Sequence, residues 1–179
     1  QYSWGTTDFF LVDTNKRIAS DTDQVKWLEA ALAASESTWK VVYHHHPAWT
    51  SDENDYGNTW KGGSDQGYPP VQKTLVPLYE KYGVDVVFNG HIHLYERTWP
   101  IRNGKTVEAG KGVVYITTGG GGGGLENFAP NRTWFSSNKR VGHHFMMVNV
   151  NGPEMEISAF DIEGRLFDRS VLKKESTDR

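Results

Sequence analysis

There is no cysteine in this chain, so disulfides and thiolate metal sites are excluded, although the compartment stays open. Long apolar runs are missing as well: none approaches the roughly 20 residues that a membrane-spanning helix requires, so no membrane partner is expected. An excess of basic charge is also lacking. Lys and Arg number 19 against 22 Asp and Glu, a formal net charge of −3 at pH 7, which leaves no basic footprint for nucleic acid. Apolar residues are not scarce. At 37% hydrophobic and 13% aromatic over 179 residues, the chain has the composition of one globular unit able to bury a core.

What the chain does have is clustered histidine. All 7 histidines fall into three runs, His44-His45-His46, His91 with His93, and His143-His144. Trp39-Lys40-Val41-Val42-Tyr43 reads as a strand running into the first run. Val84-Asp85-Val86-Val87-Phe88 reads as a buried strand leading through Asn89-Gly90 into the second. Open α/β sheets place their chemistry at the carboxyl ends of such strands. Neutral imidazole is a common ligand for borderline metals, and two histidines one residue apart behind a glycine can converge on neighbouring ions. Alone, a His-x-His pair is more often two exposed polar residues on one face; two clusters after two strands point to metal.

Pattern orders the rest of the chain. Phe9 to Asp13 predicts a strand, and Asp21-Thr22-Asp23-Gln24 a capping box opening a helix to about Ala34 with Val25, Leu28 and Leu32 inside. After a polar, glycine-rich loop from Ser51 to Tyr68, Pro69-Pro70 opens a second helix carrying Val71, Leu75, Leu78 and Tyr82, closed by Gly83; Pro77 kinks or restarts it. Strand, helix, strand, helix, strand is a βαβ series and predicts parallel sheet with packed helices. From Val113 the pattern changes to short strands, Val113 to Thr117, Phe145 to Val150, Met155 to Phe160 and Arg165 to Leu172. Turn signals at Asn151-Gly152 and Glu163-Gly164 make the end an antiparallel meander.

Gly90-His91-Ile92-His93-Leu94-Tyr95-Glu96-Arg97 resembles the Gly-His-x-His-x-Tyr-Glu-Arg block of purple acid phosphatases, within the calcineurin-like metallophosphoesterases. Val42-Tyr43-His44-His45, continued by His46-Pro47-Ala48-Trp49, resembles the Val-x-x-His block that precedes it in the same family. The resemblance runs from Phe9 to the final hairpin. It implies an α/β fold, part of a four-layer αββα sandwich with a parallel βαβ start followed by antiparallel strands. It also implies metal-dependent hydrolysis of a phosphate monoester substrate by a binuclear centre of two metal ions, iron plus zinc, manganese or iron. His45 and His91 would bind the divalent ion and His93 the other.

The family's remaining ligand blocks, an aspartate, an Asp-x-x-Tyr and an Asn-His, have no counterpart before these strands. The resemblance therefore implies that residues 1–179 are the carboxyl-terminal part of a catalytic domain, whose partner is the missing amino-terminal half and whose activity is lost when the chain stands alone. Such a half would expose strand edges and apolar surface. A secreted or extracytoplasmic setting is implied too. The competing readings are a phosphodiesterase or nucleotidase of the same superfamily, and a non-catalytic metal-binding or interaction fragment.

Relatives carry a proton-donating histidine in the loop after the first block; Thr50 to Asn58 contains none, so the catalytic assignment falls on His46 as the nearest substitute. Of His44 and His46, one is expected to pack into the strand and one to face the cleft. Asp52, Glu53 and Asp55 read as a solvated loop, Glu96 and Arg97 as braces of the ligand loop, and His143-His144 as structural. Gly119 to Gly124 reads equally as flexible linker or as backbone lining the cleft. Trp49 and Trp60 flank the substrate loop, and Asn131-Arg132-Thr133 satisfies the glycosylation pattern, which matters only outside the cytoplasm.

Overall fold

The computed structural model describes residues 1–57 and 66–174; Asn58 and Trp60 of the expected substrate loop lie outside the described residues. Strands β1 (Tyr2–Trp4), β2 (Thr7–Leu11), β3 (Trp39–His44), β4 (Val86–Asn89), β5 (Tyr95–Thr98), β8 (Val114–Thr118) and β9 (Ser136–Arg140) build one sheet in the order β1-β2-β3-β4-β8-β5-β9. The run β2-β3-β4 is parallel, as the βαβ pattern requires; β8, grouped by pattern with the later short strands, instead joins this run parallel to β4, and β5 and β9 extend the sheet in antiparallel sense. Strands β10 (His144–Asn151), β11 (Glu154–Asp161) and β12 (Leu166–Lys173) form a separate antiparallel meander, turning at Gly152 (φ +54°) and Gly164 (φ +78°). A short ribbon of β6 (Ile101–Arg102) and β7 (Lys105–Thr106) completes the described elements.

Alternation along the central strands divides the core in two. Val42, Val87 and Tyr115 face the helices together with Phe10, Leu28, Leu32, Leu75 and Tyr79. Val41, Val86, Val114 and Ile116 face the meander and meet Met155, Ile157, Ala159 and Leu172. Burial on both faces is why these strands read as continuous apolar runs. Helix, sheet and second sheet are thus three successive layers of the expected sandwich.

Thr22 caps α1 (Asp23–Ala34), its hydroxyl accepting from the Val25 N–H at 3.4 Å, and Val25, Leu28 and Leu32 are buried. In the second helix Pro77 has no N–H to give and its ring crowds the carbonyl four residues earlier. The chain widens into a π-helical turn, Val71–Leu75, with the Val76 N–H reaching Val71 O, and restarts as α2 (Val76–Lys81). The inner stripe is consequently Val71, Leu75, Val76 and Tyr79; Leu78 and Tyr82, expected on it, are only partly buried.

Between the sheets, Arg97 of β5 makes two hydrogen bonds to Asp168 of β12 at 2.7 and 3.0 Å, and Tyr95 donates its hydroxyl to the same carboxylate at 2.6 Å. β10, one of the meander's two edge strands, forms a ladder with β11 alone among the described residues and leaves Phe145, Met147, Val148 and Val150 exposed.

Candidate metal centre

β2, β3, β4 and β8 all end at the same sheet edge, and the loops leaving them carry the site. His44 is the last residue of β3. Its ring turns inward, stacked 6.1 Å from Tyr79, with both nitrogens buried and without a well-formed hydrogen bond among the described residues, and burial lowers its pKa to about 3. His46 is the member that faces outward. Its backbone N–H donates to Thr14 Oγ1 at 3.1 Å, and its Nδ1 shares a 2.8 Å hydrogen bond with the same hydroxyl.

β4 ends at Asn89, whose amide donates to Thr117 Oγ1 at 2.8 Å, tying it to β8. His91 then adopts φ +68°, a left-handed conformation rare for a residue with a side chain and concentrated at functional sites. This twist presents its Nδ1 3.0 Å from His45 Nε2. Its Nε2 lies 3.1 Å from Asp55 Oδ2, and the Tyr56 ring lies 5.4 Å from the imidazole. His93 is held by the loop after β8: Glu126 accepts its backbone N–H at 2.7 Å, and its Nδ1 sits 2.7 Å from the Gly124 carbonyl. A carbonyl only accepts, so Nδ1 carries the hydrogen and Nε2 keeps the lone pair.

Of the four expected site residues, His45, His46 and His91 offer ligand atoms all within 4.8 Å of one another. His93 stands outside that trio, yet near enough for its charge to act on His45. Burial lowers His45, followed by the charges of His91 and His93; burial lowers His46 to about 4, followed by His91 and His45. Both rings are therefore unprotonated at neutral pH and able to donate to a cation. The donor set fits a borderline divalent ion. Nitrogens bound to tetrahedral zinc at 2.0–2.1 Å lie about 3.3 Å apart, close to the separation of His45 Nε2 and His91 Nδ1.

Asp52 does not behave as a solvated loop residue, and Asp55, although exposed as expected, is engaged with the site. Asp52 is fully buried and accepts from the backbone N–H groups of Asn54, Asp55 and Gly57, while Asp55 turns onto His91. The spacing Asp52-x-Asn54-Asp55-x-Gly57 is a signal for such a side-chain-capped turn. Thr14 and Glu126 carry no such signal, because contacts that distant in sequence leave no local pattern.

Glu96 and Arg97 do brace. Glu96 is buried, accepts from the Ser51 N–H and hydroxyl at 2.8 and 2.6 Å and from the Ser136 hydroxyl, and burial raises its carboxyl. His144 is fixed by Thr118 Oγ1 at 3.0 Å and the Gly142 carbonyl at 2.9 Å, in the structural role expected. His143 Nδ1 meets the Gly120 carbonyl at 3.2 Å. Trp49 packs on Trp134 and Phe135 as a wall of the same region.

Parts of the glycine run are packed against the ligand loop. A Cβ on Gly119 would sit 2.2 Å from the Ile92 carbonyl oxygen, and one on Gly123 2.6 Å from the His93 ring, whereas Gly121 and Gly122 face open space. Gly119→Ala is expected to destabilise by about 1–3 kcal/mol through this overlap, with Gly122→Ala near neutral, as read by thermal denaturation.

Residues 3–95 match the family described as calcineurin-like phosphoesterase. The chain belongs to that family. A purple acid phosphatase of Arabidopsis thaliana is 37% identical over 106 residues, 58% of this chain and 22% of the relative. Another Arabidopsis protein, named a probable inactive purple acid phosphatase, is 26% identical over 176 residues, 92% of this chain and 27% of the relative. Among solved structures, the purple acid phosphatase from yellow lupin seeds is matched with a TM-score of 0.88 at 24% identity, over 96% of this chain and 32% of that one. The phosphoesterase fold is common to both, and this chain spans about a quarter of the length of the Arabidopsis relatives.

Proposed function

We propose that this chain supplies the histidine side of a binuclear centre that hydrolyses phosphate monoesters, with His45 and His91 on a divalent ion and His93 on its neighbour, iron beside zinc, manganese or iron. The gathering of His45, His46 and His91, with ligand atoms within 4.8 Å of one another and His45 Nε2 3.0 Å from His91 Nδ1, carries the reading, since a hydrogen bond this short between two imidazoles is replaced without large movement by one shared ion. Such an ion pair supplies a water of lowered pKa as nucleophile and neutralises phosphoryl charge. His46, braced by Thr14 beside His91, is the side chain assigned to the phosphoryl group or its leaving oxygen. The lone pair of His93 Nε2, freed by the Gly124 carbonyl, suits it to ligation.

The donors gathered on this chain are chiefly neutral, and two cations need a bridging anion to lie close together. The remaining carboxylates are assigned to an amino-terminal segment, a proposal consistent with the greater length of the relatives. A secreted or extracytoplasmic setting belongs to the same proposal; among the described residues no helix is long and apolar enough to cross a membrane. A non-catalytic reading is favoured by one observation, the word "inactive" in the name of the relative matched over 92% of this chain.

Metal analysis after exhaustive dialysis tests the proposal. One loosely held zinc per chain is expected for the 179-residue protein, and two once the amino-terminal segment is supplied. Retention of no ion in either form would overturn it.

A further inference from the structure

We propose that Asp55 is a positioning residue for His91: its carboxylate accepts the Nε2–H and so fixes the tautomer in which Nδ1 holds the lone pair offered to the ion. This rests on the reading of His45 and His91 as ligands. A neutral imidazole carries one ring hydrogen, and a carboxylate can only accept. With Asp55 Oδ2 3.1 Å from Nε2, the hydrogen belongs on Nε2 and the lone pair on Nδ1, the atom that faces His45 Nε2 at 3.0 Å. A carboxylate in this position also raises the basicity of the coordinating nitrogen.

The loop is constructed to deliver that carboxylate. Buried Asp52 accepts from the N–H groups of Asn54 at 3.2 Å, Asp55 at 2.6 Å and Gly57 at 2.6 Å, which pins the backbone of Asp55 directly. Gly57 is required for the turn, because a Cβ there would lie 2.2 Å from Asp52 N. The loop is also fastened to the segment after β8: the Ala129 N–H donates to Ser51 O at 2.8 Å and the Glu53 N–H to Asn127 O at 3.0 Å. That same segment holds His93 through Glu126 and Gly124. One pair of joined loops therefore sets the orientation of both imidazoles of the His-x-His motif, and the Tyr56 ring beside His91 limits its rotation.

The test is zinc binding by calorimetry on the 179-residue chain together with long-range proton–nitrogen NMR of the histidine rings in the zinc-free protein. Asp55→Ala is expected to weaken zinc binding about ten- to a hundredfold and to release His91 into a mixture of tautomers. Asp55→Asn, whose side-chain oxygen still accepts the Nε2–H, is expected to keep the wild-type tautomer and recover most of the affinity. Wild-type zinc affinity in Asp55→Ala, or an unchanged His91 tautomer in that variant, would overturn the assignment. His45→Ala and His91→Ala separate the two levels. If they abolish zinc binding while Asp55→Ala does not, only the role of Asp55 falls; if they leave zinc binding intact, the ligand reading falls and takes this inference with it.

Discussion

Assayed alone against a chromogenic phosphate monoester, the 179-residue chain is expected to give no metal-dependent turnover, and with its amino-terminal segment supplied it is expected to turn over at a rate that His91→Ala lowers at least about a thousandfold. The size follows from what a misplaced ion removes. Charge neutralisation at the phosphoryl group is worth several kcal/mol, each 1.36 kcal/mol being tenfold in rate, and a displaced nucleophile loses proximity as well. His91 is the residue whose loss should matter most, because its strained backbone and its contacts with both His45 and Asp55 place it at the centre of the cluster. Turnover by the chain alone, abolished by His91→Ala, would mean that carboxylates already present complete a compact site. Absence of turnover from folded, associated halves would favour the non-catalytic reading.

Asp168→Ala is expected to cost about 3–5 kcal/mol, which for a chain of this size lowers the melting temperature by roughly 10 °C. The carboxylate is 6% exposed and faces an Arg97 side chain that is 13% exposed, so its removal strands a guanidinium and the Tyr95 hydroxyl between two sheets. Thermal and urea denaturation measure it. A loss below about 1 kcal/mol would show that Arg97 swings to solvent and that the pair behaves as a surface ion pair. Asp168→Asn should fall between, since one amide oxygen still accepts.

The parallel strands are legible in the sequence to within two residues at each end, because burial on both faces writes an uninterrupted apolar run such as Val86-Val87-Phe88. β9, Ser136–Arg140, is not: it is polar along its whole length and is held by pairing with β5 rather than by a buried face of its own. β5 is hidden for a different reason: three of its four residues are the Tyr95-Glu96-Arg97 of the family block, and two of those are charged, which masks a strand pattern. In the site, His45 and His91 stand out because they lie in the loops just after strands. Asp55 did not, since charged loops resemble one another in sequence, and only the three backbone donors gathered by Asp52 distinguish this one from solvated chain.

The outer strand β10 carries a consequence for handling the protein. From His144 to Asn151 it contains no Lys, Arg, Asp, Glu or Pro, and its apolar side chains lie open; the His144 N–H donates to Gly120 O at 3.2 Å, but no strand among the described residues pairs along its outer side. Natural edges usually blunt themselves with lysine, proline or a bulge. Left uncovered, this one is a template for edge-to-edge stacking between copies, so concentrated solutions should drift toward aggregate unless another strand caps it. The eight residues that open the meander are in that sense the least self-sufficient part of the fold.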